Sequence, residues 1–224
     1  MARSSPQSIQ RYPLTAILGT ETNVRLLREL SRHGGQLSAP SLVQRTGLAK
    51  TSVWAGLAAL EQAGAVAIAG SGRARLYNIR ADHPLRAALA ALFEAEERRF
   101  DAILEAVRAA ARGYGRRILA VWIYGSAARG EDRVGSDLDI AVVAANDAVA
   151  AVSEAMRDAL SASGDRLGFV PSVVGLAPAD AARFAKQRQR WWTEVARDAI
   201  VLLGPSPDEL ARPRRAIRAG RSAA

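Results

Sequence analysis

The chain has 224 residues, 49% of them apolar, with 31 basic and 22 acidic side chains, a formal net charge of +9 and no cysteine. That length can build one large or two modest hydrophobic cores. The lack of cysteine excludes a disulfide framework and a thiolate metal site. No apolar run approaches the ~18 residues of a membrane-spanning helix. Met1 to Gln10 lacks the apolar centre of a signal peptide, so a cytoplasmic protein with no membrane partner is expected. The positive excess favours polyanionic partners and is unevenly spread: residues 1–82 carry ten basic against four acidic side chains, whereas 118–204 carry nine against eleven.

Three helices are predicted first. One runs from about Thr22 to His33, turns Val24, Leu26, Leu27 and Leu30 toward a core, and stops at Gly34-Gly35. Ser38 can cap a second, with Leu42 and Val43 inward and Gly47 at the turn. The third spans about Lys50 to Ala63, where Val53, Leu57 and Leu60 share one face, and Gly64 ends it. A hairpin then follows from Val66 to Ala69, through Gly70-Ser71-Gly72, to Arg73–Ile79.

This order, together with the phrase Leu57-Ala-Ala-Leu60-Glu-Gln-Ala-Gly64-Ala-Val66, resembles the winged helix-turn-helix of bacterial regulators of the MarR and ArsR kind, over residues 14–82. The resemblance implies duplex DNA as a partner, with the third helix in the major groove and the wing along a phosphate backbone. Lys50, Thr51, Ser52, Trp54 and Ala55 would then face bases or phosphates, and Arg73 and Arg75 would sit on the wing. A protein-docking role stays open, because the reading helix is rich in alanine and offers few side chains for bidentate base contacts.

Residues 83–115 have a helical rhythm in Leu85, Leu89, Leu92, Phe93, Phe100, Ile103, Leu104 and Val107, with Asp82 and Pro84 marking the start and Gly113-Tyr114-Gly115 the stop. This connecting helix can pack on the following domain or form a homodimer, and both readings stand. His33 and His83 have no partner at metal-ligand spacing. Trp191 and Trp192 read as core plus rim, and Lys186, Arg188 and Arg190 as a solvated face. Residues 205–224, with Pro205, Pro207, Pro213 and several arginines, read as a basic, mobile tail.

The segment richest in chemistry begins with the apolar run Ile118–Tyr124. It continues as Gly125-Ser126-Ala-Ala-Arg129-Gly130-Glu131-Asp-Arg-Val-Gly-Ser-Asp137-Leu-Asp139 and passes into a second run, Ile140–Ala144. A strand, a small-residue turn with a short helix, and a second strand opening on two carboxylates are expected. Alternate strand residues lie ~7 Å apart on one face, so Asp137 and Asp139 project together. Two such carboxylates can share a pair of divalent cations, which activate an incoming hydroxyl and stabilise leaving oxygens at phosphorus. Magnesium is the expected ion, since it keeps substrate phosphates and waters among its ligands. Gly125 allows close backbone approach, Ser126 adds a hydroxyl, and Arg129 is a candidate phosphate contact.

These residues form the pattern G-S-x10-D-x-D, and over about Arg116 to Gly204 the chain resembles the DNA polymerase β-type nucleotidyltransferases, in particular the minimal nucleotidyltransferase group. The implied fold is α+β: an N-terminal winged helix-turn-helix, a connecting helix, and an α/β nucleotidyltransferase domain at 116–204 with a small mixed sheet. Transfer of a nucleotidyl group, AMP in the favoured case, from Mg-bound ATP or another triphosphate to a hydroxyl is the implied activity. A partner protein such as a HEPN-domain toxin would be the acceptor, and DNA binding would serve autoregulation. One residue departs from the fuller family pattern. Aligned on the run Gly168–Leu176, Ser172 stands where a third carboxylate is expected, and Asp165 and Asp180 flank the strand out of register. A regulator whose nucleotidyltransferase domain only senses nucleotide is therefore the alternative.

Overall fold

The computed structural model describes residues 8–72 and 75–212. They fall into two compact units, one ending at Arg98 and the other beginning at Arg99. In the first, α1 (Leu14–Leu18) precedes α2 (Glu21–His33), which starts where the Thr20 hydroxyl accepts the Asn23 N–H at 3.1 Å and ends at the left-handed Gly34. A two-residue strand β1 (Leu37–Ser38) leads into α3 (Ala39–Thr46), capped by the Ser38 hydroxyl and closed by left-handed Gly47. Helix α4 (Lys50–Gln62) buries Val53, Leu57 and Leu60 against Leu26, Leu27 and Leu30. Gly56 makes that approach possible, because a β-carbon there would stand 2.6 Å from the Thr22 methyl and 2.8 Å from Leu26 Cδ1. The antiparallel strands β2 (Val66–Ala69) and β3 (Leu76–Ile79) follow, and β1 adds to the far side of β3.

Helix α5 (Arg86–Arg112) is more than the connector expected at 83–115. Its Leu89 and Phe93 belong to the core of the first unit, whereas Ile103, Val107 and Ala111 belong to that of the second. In the first unit Arg28 grips Glu96 with two bonds of 2.7 and 2.8 Å.

The second unit is built on a four-stranded mixed sheet in the order β6-β5-β4-β7. Strands β4 (Ile118–Tyr124) and β5 (Leu138–Ala144) pair antiparallel, β7 (Ile200–Leu203) joins β4 antiparallel, and β6 (Pro171–Leu176) lies parallel to β5. The two unbroken apolar runs of the sequence are β4 and β5, the central strands, covered on both faces. One face sets Val121, Ile123, Ile140 and Val142 against Met156 and Leu160 of α7 (Val149–Leu167) and against Ile103 and Val107. The other sets Ala120, Trp122, Ala141 and Val143 against Ala181 of α8 (Pro178–Lys186) and Trp192 and Val195 of α9 (Arg190–Asp198).

The segment expected as a mobile tail from residue 205 instead starts with structure. Ser206 and Glu209 form a reciprocal cap on α10 (Pro207–Ala211), Pro207 is buried, and the Trp122 indole donates to the Pro205 carbonyl at 2.8 Å. Residues 213–224 lie outside the described residues.

Gly175 of β6 faces α7 so closely that a β-carbon would meet Val149 Cγ1 at 2.7 Å and its carbonyl oxygen at 3.2 Å. Alanine ordinarily stabilises a strand relative to glycine. Here overpacking dominates, and Gly175→Ala is expected to lower unfolding free energy by ~1–3 kcal/mol. A denaturant midpoint at or above the wild-type value would refute this account of the α7–β6 contact.

Candidate functional site

Pairing of β4 with β5 sets Tyr124 opposite Asp139. Gly125 follows with a φ of +74°, and a β-carbon at that position would run into the Asp139 carboxylate. The chain then turns through the five-residue helix α6 (Gly125–Arg129), which stops at left-handed Gly130, and the Glu131 N–H returns to the Ser126 carbonyl at 2.9 Å. The Ser126 hydroxyl has no hydrogen-bond partner among the described residues.

Asp137 is exposed just before β5, Leu138 turns into the core, and Asp139 is half-buried. Burial raises the Asp139 carboxyl above its ordinary range, and the negative charge of Asp137 adds to the rise. The Ser172 hydrogen bond and the positive charge of Arg129 oppose it. The parallel β5–β6 register brings Ser172 level with Asp139. The residue that stands where the fuller family pattern has an acid is thus level with Asp139, and it is a hydroxyl donor. Asp180 is engaged elsewhere, accepting the Ala177 N–H at 2.9 Å and an Arg183 bond at 2.6 Å, and Asp165 lies within α7.

Among the described residues no group of three or more His, Asp or Glu side chains can hold a metal. What the chain offers is two neighbouring carboxylates with serine hydroxyls nearby, an all-oxygen set. That set fits magnesium, which takes few protein ligands and completes its shell with phosphates and water.

Two sets of residues around this centre were not singled out as site residues from the sequence. Tyr124 is buried, and its hydroxyl accepts from the Trp191 indole, with the rings edge to face at 5.5 Å. Burial, and then the charge of Asp139, raises the phenol. Trp192 is buried in the core and Trp191 lies at its rim. The second set surrounds Arg129, whose Nε donates to Glu131 at 2.7 Å and whose Nη1 donates to Asp198 at 3.2 Å. Arg197 adds bonds of 2.6 and 2.8 Å to the same Asp198 carboxylate. The expected phosphate contact is therefore held between two carboxylates. The sequence signal for Asp198 was an acid at the junction of α9 and the last strand. Its meaning comes from the pairing of Ile200 with Ile123, which puts the start of β7 beside the end of β4.

In the first unit, Lys50, Thr51, Trp54, Ala55 and Arg75 are exposed, and Arg73 lies outside the described residues. Ser52 is half-buried. With Ala55 it lines a cleft shared with Thr15, Ala16, Thr20 and Asn23, so the structure turns Ser52 away from Lys50, Thr51 and Trp54. The Trp54 ring meets Tyr77 of β3 edge-on at 6.5 Å.

Residues 106–171 match the family model described as polymerase beta, nucleotidyltransferase, so the chain carries a nucleotidyltransferase-like domain. Two solved structures are similar to part of the chain. One is a toxin–antitoxin with AMP-PNP, at 18% identity over 48% of this chain and 80% of that one, with a TM-score of 0.32. The other is a mutant of the toxin–antitoxin MntA–HpeT, at 17% identity over 46% and 75%, with a TM-score of 0.29. No curated protein matches. No helix of the described residues is long and apolar enough to cross a membrane.

Asp198 is brought from an ordinary 3.8 down to about 2, chiefly by Arg197, with Arg129 adding to the effect. A depressed folded-state pKa contributes stability that is complete above 3.8 and is lost as pH falls through about 2. The denaturant midpoint of Asp198→Asn should therefore fall below wild type at neutral pH, and the gap should close across that acidic window. A gap that stays constant down to the lower value would show that the carboxylate's charge is not what stabilises the junction.

Proposed function

We propose that the chain is a nucleotidyltransferase that holds a magnesium-bound nucleoside triphosphate at Asp137 and Asp139 and transfers its nucleotidyl group, AMP in the favoured case, to a hydroxyl of a partner protein. The observation that carries this reading is the juxtaposition of Gly125 and Asp139. A residue without a side chain, in a left-handed conformation, gives the half-buried carboxylate room at the turn from which Ser126 follows. Two magnesium ions, when bound, would neutralise triphosphate charge and lower the pKa of the acceptor hydroxyl.

The remaining roles fall to the chain. Asp137 and Asp139 anchor the metals, Ser126 donates to a phosphate oxygen, and Arg129 supplies a fixed positive charge. Ser172 orients Asp139 through its hydrogen bond. A serine hydroxyl is too weak a base to take a proton near neutral pH, so the chain lacks the ~10²–10⁴-fold that a positioned general base contributes. Slow transfer follows. The same observation favours a second reading, in which the domain binds nucleotide without turnover and acts as a sensor.

Replacing both Asp137 and Asp139 by Asn is expected to abolish magnesium-dependent ATP binding in calorimetry while leaving circular dichroism unchanged. Unchanged affinity would sink the site. In labelled-ATP transfer with a lysate or cognate acceptor, wild type should be slow and Ser172→Asp faster. Tight binding with no transfer from either protein selects the sensor. A small helical HEPN-like protein is the acceptor the family resemblance favours, and its labelling is the direct check.

Duplex DNA is the proposed partner of the first unit, supported by ten basic against four acidic side chains in residues 1–82 and by the exposure of Lys50, Thr51, Trp54 and Arg75. Binding there would serve autoregulation. Phosphate contacts release counterions, and each one removed should flatten the slope of log affinity against log salt by ~0.9. Lys50→Ala with Arg75→Ala is expected to weaken binding and lower the slope by about two such steps. Full-length protein that binds no duplex at low salt would identify the unit as a protein-docking module.

A further inference from the structure

Arg129 is the one cationic side chain beside the candidate site that the sequence assigned to phosphate, and two acids of very different character hold it. The Glu131 side chain is 65% exposed and follows the Gly130 turn, whereas that of Asp198 is 9% exposed. Asp198 also binds both Nε and Nη2 of Arg197, so its orientation is fixed independently of Arg129. Its place in the helix is costly, because an aspartate as the last residue of α9 stands where the helix dipole favours cations. The Asp198 carboxylate therefore has another reason to be there. Nη2 of Arg129 has no hydrogen-bond partner among the described residues, so the guanidinium is held by Nε and Nη1 with one donor nitrogen unused.

We propose that Asp198 is a positioning residue that fixes Arg129 for the triphosphate, and that Glu131 is a placeholder that a phosphate oxygen displaces. This rests on the nucleotide-binding reading above. An exposed Arg–Glu pair is worth little in water. A phosphate oxygen is a strong, charge-assisted acceptor for guanidinium. Exchange at Nε is therefore favourable, while the bond to Asp198, itself held by Arg197, keeps Nη1 and the plane of the group in place. The two acids contact the same arginine, yet removing their charges has opposite consequences for the nucleotide.

The test is calorimetry of the full chain with magnesium and each of ATP, GTP, CTP and UTP. For the nucleotide that binds, Asp198→Asn is expected to weaken affinity about tenfold and Asp198→Glu to restore part of it. Glu131→Gln should tighten binding by roughly two- to fivefold, since a competing acceptor loses its charge. In an Arg129→Ala background, Asp198→Asn should have no further effect. A purely structural Asp198 would instead produce the same loss in both backgrounds, and that result overturns the proposal. So does Glu131→Gln weakening the binding. Should Asp198→Asn fail to fold, the sign of the Glu131→Gln effect, and its disappearance with Arg129→Ala, still decide. Wild type that binds no Mg-nucleotide overturns the nucleotide-binding reading as well, whereas wild-type binding that both substitutions leave unchanged overturns this inference alone.

Discussion

The second unit depends on one steric constraint, a carboxylate packed against a residue that has no side chain. Asp139 leaves β5 directly opposite the end of β4, and only a glycine at 125 gives its oxygens room. The positive φ at that glycine turns the chain sharply into α6, and the turn in turn presents Ser126 and Arg129. Burial and the nearby Asp137 leave Asp139 carrying negative charge at some cost. The Ser172 hydrogen bond and the charge of Arg129 offset that cost only in part, and in the proposed reading a bound cation would relieve the rest.

Sheet order turns that local arrangement into a larger one. Because β6 is parallel to β5, Ser172 arrives level with Asp139, and because β7 is antiparallel to β4, the end of α9 arrives beside α6. Two elements distant in sequence thus deliver a hydroxyl to one side of the acidic pair and an ion cluster to the other. Tyr124 meets Trp191 and Trp122 meets Trp192 edge to face, contacts that join the sheet to α9. The residues around the proposed nucleotide are therefore held by packed strands and helices, the arrangement that keeps functional groups in place at little reorganisation.

The first unit rests on a different device, close approach of two helices at Gly56. With α4 pressed on α2, only one side of α4 remains open, and Lys50, Thr51 and Trp54 occupy it. Ser52 and Ala55 turn toward the cleft by α1. In α5, apolar residues from the two ends enter different cores, so a single rhythm in the sequence serves two hydrophobic clusters.

Much of this was legible in the sequence because it is local. Periodicity marked α2, α4 and α5; Gly34 and Gly47 marked stops; unbroken apolar runs marked the doubly covered strands β4 and β5; and G-S-x10-D-x-D put Asp137 and Asp139 on alternate positions at one strand opening. Helix caps, strand alternation and turn chemistry all act within a few residues, so composition and spacing suffice to fix them. Ser172 could be aligned with the missing acid, but its bond to Asp139 depends on strand order. The pairing of Arg129 with Asp198 joins residues 69 apart. Reversal of β7 brings them together, and nothing in the sequence near either residue encodes it. The order at Ser206–Ala211 likewise involves the Trp122 indole donating to the Pro205 carbonyl across the fold. Local chemistry determined which residues can do the work, and long-range strand pairing decided which of them meet.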